Sequence, residues 1–372
     1  MNQQMKHLLL TPLTYKQQTF NNRIVMAPMS RRRAEGAMPQ ENMGIYYAQR
    51  AGAGLIIAEN TAVSPNGVGY LNIPGIFNDA QQAAWKKITG QVHARGGKIF
   101  LQLVHTGRIG HPANQWQQPV VGASALPAAG VLRTPYDAQA PFPVPHALTT
   151  PEADGLVAAH VQAAERAIAA GFDGVELHGA HGFLPMQFLH SLTNNRTDKY
   201  GGSIENRSRF LLDALKGIMD AIGPERTGLR LSPFSGLNDL PPFPEELATY
   251  RYIVEELRKT SLLYIHLSDQ STNGEPPIPH WYLQELRERF PNLIILAGGY
   301  TQATATAMLE AGLADLIAFG RPFISNPDLP ERFRHGWPLA PADEATFYHG
   351  GDHGLIDYPS YSRPRECAHA AG

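Results

Sequence analysis

The stretch 171–207, GFDGVELHGAHGFLPMQFLHSLTNNRTDKYGGSIENR, decides how the rest of this 372-residue chain is read. It opens as an apolar run at 175–177 and breaks at once into His178-Gly-Ala-His181. A short buried strand that delivers two imidazoles to its own C-terminal end is the layout of barrel enzymes, which keep their chemistry where the strands stop.

Working outward, the same kind of run recurs. Eight stretches, 23–28, 55–63, 98–104, 174–179, 228–233, 262–268, 293–298 and 316–321, are mostly continuous apolar segments rather than alternating ones, as strands covered on both faces require. Between them apolar residues return every three or four positions: Val157, Val161, Ala164 and Ile168; Phe210, Ala214, Ile218 and Ile222; Leu247, Tyr250, Val254 and Leu257. Thr150-Pro151-Glu152 predicts a cap, a first-turn proline and an acid, and Ser203-Ile-Glu205 predicts the next helix start. Eight β/α alternations predict one α/β domain over 1–372, a (β/α)8 TIM barrel. A doubly wound open sheet is the alternative, and no Gly-x-Gly-x-x-Gly follows the first run to favour it. Residues 105–150, after the third strand, hold seven prolines and little helical period, which predicts a lid or wall over the C-terminal face. Stretch 234–244 is expected to rim the same opening, and 360–372 to form a flexible tail.

Composition excludes several classes. With 31 Lys plus Arg against 33 Asp plus Glu, there is no basic stripe for nucleic acid and no polybasic tail for a membrane. The one cysteine, Cys367, excludes an internal disulfide and a thiolate metal site. No run reaches the roughly 18 apolar residues of a membrane span, so a cytoplasmic protein, monomer or homodimer, is the expectation.

Polar or glycine residues stand at nearly every strand exit: Ser30, Glu59, Asn60, Gln102, His105, His178, His181, Arg230, Ser268, Gly298, Gly299, Gly320 and Arg321. The pairs Gly298-Gly299 and Gly320-Arg321 each precede an expected helix start, near Thr301 and near Asn326, which predicts a phosphate cradle. The two histidines, read alone, leave open an oxyanion-holding pair, a structural pair or metal ligands, and no third ligand is evident, so no metal is expected. A cofactor-free sugar-phosphate barrel would want a lysine or paired carboxylates at strand ends, and Lys98 lies at a strand start.

These motifs together resemble the old yellow enzyme family of FMN-dependent ene-reductases, closest to its bacterial branch of pentaerythritol tetranitrate and N-ethylmaleimide reductases. The resemblance rests on Asn22-Arg-Ile-Val-Met-Ala-Pro-Met29, Gln102-Leu-Val-His-Thr-Gly-Arg108, the His178 stretch with 195–203, Phe319-Gly-Arg-Pro322, Phe347-Tyr348 and Asp357-Tyr-Pro359, and it covers nearly the whole chain. It implies tightly bound, non-covalent FMN, with NAD(P)H as reductant and a small activated alkene, quinone or nitro compound as oxidant. It implies that Pro28, Met29, Ser30, Asn60, Gln102, Arg230, Gly298, Gly299, Gly320, Arg321 and Tyr348 hold the flavin, with Gln102 and Arg230 at its pyrimidine edge. His178 and His181 match the pair that anchors the substrate oxygen, and Tyr70, Val104 and Tyr348 match the pocket.

Two departures carry information. Phe183 stands where the family usually has the Tyr that protonates the α-carbon, and phenylalanine has no proton to give. This leaves open a reductase with another proton source such as Tyr70 or water, a double-bond isomerase that returns the hydride, and a flavin binder with little turnover. Val104 stands where close relatives have Trp, which predicts a wider pocket and bulkier substrates. The run Arg31-Arg32-Arg33 is expected to be a solvated face, contact with an NADPH phosphate being the alternative.

Overall fold

The computed structural model describes residues 8–362; Cys367 and positions 363–372 of the expected tail lie outside the described residues. Eight parallel strands close into a barrel: β1 (Ile24–Met26), β2 (Leu55–Ala62), β3 (Ile99–Val104), β4 (Gly174–His178), β5 (Thr227–Leu231), β6 (Tyr264–Ser268), β7 (Leu293–Ala297) and β8 (Leu316–Phe319). Each strand pairs with its neighbours in sequence, and β8 closes on β1. The (β/α)8 expectation is therefore what the structure shows.

Alternation along the strands sorts their side chains into two cores. Outward residues such as Ile56, Leu101, Val175, Leu229, Ile265 and Ile317 join the helices in the larger core. Inward residues Val25, Ile57, Phe100, Tyr264, Ile295 and Leu316 fill the lower barrel, where Leu13 and Tyr15 of an N-terminal hairpin pack beneath them. Phe100 and Tyr264 stack with centroids 6.2 Å apart. Gly228 makes room for them, because a Cβ there would lie 2.1 Å from Tyr264 Cζ. One residue layer higher the inward positions turn polar, with Gln102, Glu176, Arg230 and His266.

Helices α1 (Glu41–Gln49), α2 (Asp79–His93), α3 (Thr150–Ala169), α4 (Leu184–Leu189), α5 (Ile204–Ile222), α6 (Glu246–Leu257), α7 (His280–Arg289), α8 (Gln302–Glu310), α9 (Arg321–Ser325) and α10 (Leu329–His335) surround the barrel. The cap of α3 is Thr149 rather than Thr150: its hydroxyl accepts from Glu152 N, and the Glu152 carboxylate reaches back to Thr149 N at 2.7 Å. Ser203 caps α5 as expected. Gly320 leads directly into α9, five residues earlier than the helix expected near Asn326.

Segment 105–150 carries two short strand pairs, Val121–Gly122 with His146–Ala147 and Val131–Leu132 with Ala140–Pro141. Arg108 ties it together by donating to Leu126 O, Pro127 O and Asp239 O. Asn114 joins it to the loop at 63–77 by donating to Gly69 O, Arg108 to that at 234–244, and none of its residues lines the cavity at the barrel mouth.

Candidate active site

A cavity of about 590 Å³ opens at the C-terminal ends of the strands. Pro28, Met29, Ser30, Asn60, Tyr70, His181, Phe183, Arg230, Gly298, Gly299, Gly320, Arg321 and Tyr348 line it, as do Arg32, Asn238, Ser268 and Gln270. Gln102 and His178 are buried, at 0% and 1% exposure, and do not line it. Val104 does not reach the cavity. It sits at 0% exposure in a cluster with Ala62, Val68, Ile73, Ile109 and Phe183, so those neighbours, and not open pocket, surround it.

The two histidines meet edge to face with centroids 5.0 Å apart. His178 Nδ1 accepts from Ala180 N at 3.2 Å, which places its proton on Nε2, and that buried N–H has no partner among the described residues. His181 follows in the left-handed region at φ 57°, an uncommon conformation for a non-glycine residue, held by Ser232 Oγ on its N–H and by Asn238 Nδ2 on its carbonyl. Ser268 Oγ receives Arg230 Nη2 at 3.0 Å and Gln270 Nε2 at 2.6 Å, so its own proton goes to His181 Nε2 at 2.9 Å. That leaves the His181 proton on Nδ1. Burial first, then Arg230 and His266, hold both imidazoles well below their usual pKa, His178 also through His181. Two neutral N–H donors therefore stand side by side, His181 lining the cavity and His178 buried beside it.

Beneath them lies a buried polar network. Glu176 accepts from Gln102 Nε2 at 2.7 Å and from His266 Nδ1 at 2.8 Å, with both Glu176 and His266 at 0% exposure. Burial would raise the Glu176 carboxyl, but His266, Arg230 and Gln102 together bring it below the ordinary carboxylate value, so it balances the buried Arg230 cation. With its NH2 occupied, Gln102 keeps a free acceptor, Oε1, and Arg230 keeps a free donor, Nε; neither has a partner among the described residues. An acceptor beside a donor fits a heterocyclic edge that offers N–H next to C=O, as a flavin pyrimidine does.

The opposite end of the cavity fits a phosphate. A Cβ on Gly298 would fall 2.6 Å from Asp269 Cβ and one on Gly299 2.4 Å from Thr272 Cγ2, so the backbone approaches as only glycine allows. Arg321 stands there with its guanidinium donating to Asn273 Oδ1 at 3.0 Å. The donor set thus fits FMN at both ends.

The arginine run is not a solvated face. Arg31 and Arg33 are 1% and 7% exposed and clamp the C-terminal segment: Arg31 donates to Phe347 O and Gly354 O at 3.0 and 2.7 Å, and Arg33 to Thr346 O and Gly351 O at 2.8 and 3.0 Å. Arg31 and Arg32 both line the cavity, and of the run only the Arg32 guanidinium makes no hydrogen bond among the described residues. Sequence reasoning missed this, along with Asn238, Gln270 and the Glu176–His266 pair, although a charged residue inside the run GVELH was a visible signal. Ser268 was recognised as a strand exit but given no role.

A family profile described as NADH:flavin oxidoreductase / NADH oxidase matches residues 8–340. A curated relative, 12-oxophytodienoate reductase 2 of Arabidopsis thaliana, is 40% identical over 360 residues, covering 95% of each chain. A solved structure of morphinone reductase in complex with tetrahydroNAD superimposes with a TM-score of 0.91 at 44% identity, covering 96% of this chain and 99% of that one. An old yellow enzyme homologue from Zymomonas mobilis does so with a TM-score of 0.90 at 39% identity, covering 95% and 99%. No helix of the described residues is long and apolar enough to cross a membrane.

Proposed function

The chain belongs to the NADH:flavin oxidoreductase / NADH oxidase family, as an NAD(P)H-dependent flavin oxidoreductase of the old yellow enzyme kind using FMN, and from that premise we propose that it reduces small activated alkenes. The observation that carries the reading is the pair of neutral N–H donors, His178 Nε2 and His181 Nδ1, on adjoining rings of which His181 lines a cavity whose two ends suit a flavin. The chemistry FMN supplies when bound is hydride transfer, from NAD(P)H and on to the β-carbon of the alkene. Gln102 and Arg230 would hold its pyrimidine edge, Gly298, Gly299, Gly320 and Arg321 its phosphate, and Pro28, Met29, Ser30, Asn60 and Tyr348 its flanks.

The histidines bind the carbonyl oxygen and stabilise the negative charge that gathers there as the β-carbon receives hydride. Preorganised donors of this type contribute about 3 to 4 kcal/mol each at most. The α-carbon must then take a proton, and Phe183, 4% exposed and edge-on to His178 at 4.9 Å, has none. Tyr70 is the hydroxyl beside it, 6.1 Å between ring centroids, donating to Asn238 Oδ1 at 3.4 Å. Burial pushes its pKa up to about 12, so it keeps its proton at neutral pH and can donate it, directly or through water. Quinone and nitro reduction need no carbon protonation and fit the same site.

The absent hydroxyl at Phe183 also favours a second reading, a double-bond isomerase in which the hydride returns. Anaerobic turnover with NAD(P)H deuterated at its transferable position separates the two. Deuterium at the β-carbon of a saturated product supports reduction. A shifted double bond with no net NAD(P)H oxidation overturns it in favour of isomerisation, and a reduced flavin that no enone, quinone or nitro compound reoxidises overturns both.

A further inference from the structure

Four arginines line the cavity: Arg31, Arg32, Arg230 and Arg321. Arg230 and Arg321 belong to the flavin ends already described, Arg31 is bonded to the C-terminal segment, and Arg32 has no function in that arrangement. Arg32 is a non-glycine residue in the left-handed region, at φ 53°, so its side chain departs from the direction of its neighbours. Such a conformation costs on the order of 1 kcal/mol and persists where the surroundings enforce it. Here the enforcement is visible, since Arg31 and Arg33 on either side are both bonded to the C-terminal segment.

The Arg32 guanidinium lies over two aromatic faces, 5.3 Å from the Tyr70 centroid and 4.8 Å from that of Tyr348. Cation–π contact with two rings leaves its N–H groups for a ligand. Among the described residues no acceptor takes a hydrogen bond from Arg32, its Nε is buried without a partner, and no carboxylate pairs with it. A second cation, Arg133 of segment 105–150, is close enough to disfavour the Arg32 charge. A half-buried cation without a counter-ion, beside another cation, is a site that lacks an anion. Its distance from the chemistry is short, because the ring chain Tyr70, Phe183, His178 joins it to the histidine pair with centroid spacings of 6.1 and 4.9 Å.

We propose that Arg32, framed by Tyr70 and Tyr348, is a carboxylate-binding subsite that makes this chain prefer activated alkenes bearing a free carboxylate over their neutral esters. The planar fork of a guanidinium matches a carboxylate in two parallel bonds. The alkene part of this assignment rests on the function proposed above; the carboxylate part does not.

The test compares a cyclohexenone carrying a propanoate side chain with its methyl ester. Both are titrated calorimetrically into the oxidised, flavin-loaded protein, its Arg32→Gln variant and its Arg32→Lys variant. The intact protein is expected to bind the carboxylate about tenfold more tightly than the ester, the size of one charge-assisted hydrogen bond. Arg32→Gln brings that ratio close to one, and Arg32→Lys, with charge but no fork, falls between. An unchanged ratio in Arg32→Gln overturns the proposal. So does a loss of NADPH affinity relative to NADH in the same variant, which would assign the cation to the reductant's phosphate. Binding is read without turnover, so a failed alkene reductase is recognised separately, by a neutral ester that does not reoxidise the reduced flavin while the binding ratio still decides the role of Arg32.

Discussion

At the scale of single residues, the cavity holds donors that need no protonation change and one position that lacks a donor. Phe183→Tyr places a hydroxyl against His178, within the ring chain that reaches Tyr70. Positioned general acids contribute roughly 100-fold or more, so steady-state reduction of a simple enone is expected to rise by about that factor, while reduction of a quinone stays level. Glu59 gives a prediction of another kind. It is fully buried, accepting from Arg31 N and Tyr47 Oη at 3.1 and 3.2 Å, and burial raises its pKa to about 7. A carboxyl whose folded pKa lies above its unfolded value favours the fold while it is protonated, and that contribution fades as pH climbs from about 4.5 through 7. Over that window the intact protein should lose about 3 kcal/mol relative to Glu59→Gln, seen as denaturation midpoints for the two that separate as pH increases.

At the scale of elements, the barrel interior depends on small residues beside large ones. Gly228→Ala drives a methyl into Tyr264 and through it into Phe100, so urea midpoints should fall by an amount equal to about 2 to 3 kcal/mol, and Gly228→Ala combined with Tyr264→Leu should recover part of that loss. The strands themselves were legible in the sequence because each is an apolar run bounded by polar residues, and all eight runs became barrel strands. The histidines were legible because they follow such a run directly. What was not legible depends on backbone turns and distant partners. Nothing local distinguishes Arg32 from Arg31 and Arg33, whose acceptors lie more than 300 residues away and whose burial therefore belongs to the fold. Val104 misled for a similar reason: a vanished indole reads as open space, yet neighbours from four segments occupy the surroundings of Val104.

At the scale of the whole molecule, the flavin ends of the cavity draw on strands from across the barrel, Gln102 and Arg230 on one side and Gly298 to Arg321 on the other. A ligand gripped by that many elements should stabilise all of them together. With free FMN at about 100 times its dissociation constant, mass action gives about 2.7 kcal/mol, so protein stripped of flavin is expected to melt at a lower temperature and to regain the difference on adding FMN but not riboflavin, which has no phosphate for the glycine cradle. The arginine clamp sets a further condition, on timing. A ribosome delivers residues 31 and 33 more than 300 residues before their acceptors at 346–354, and large domains fold as synthesis proceeds. The nascent barrel must wait for those acceptors to complete its two guanidinium clamps, so a chain stalled near position 340 would carry eight strands but neither its Tyr348 cover nor a settled Arg32.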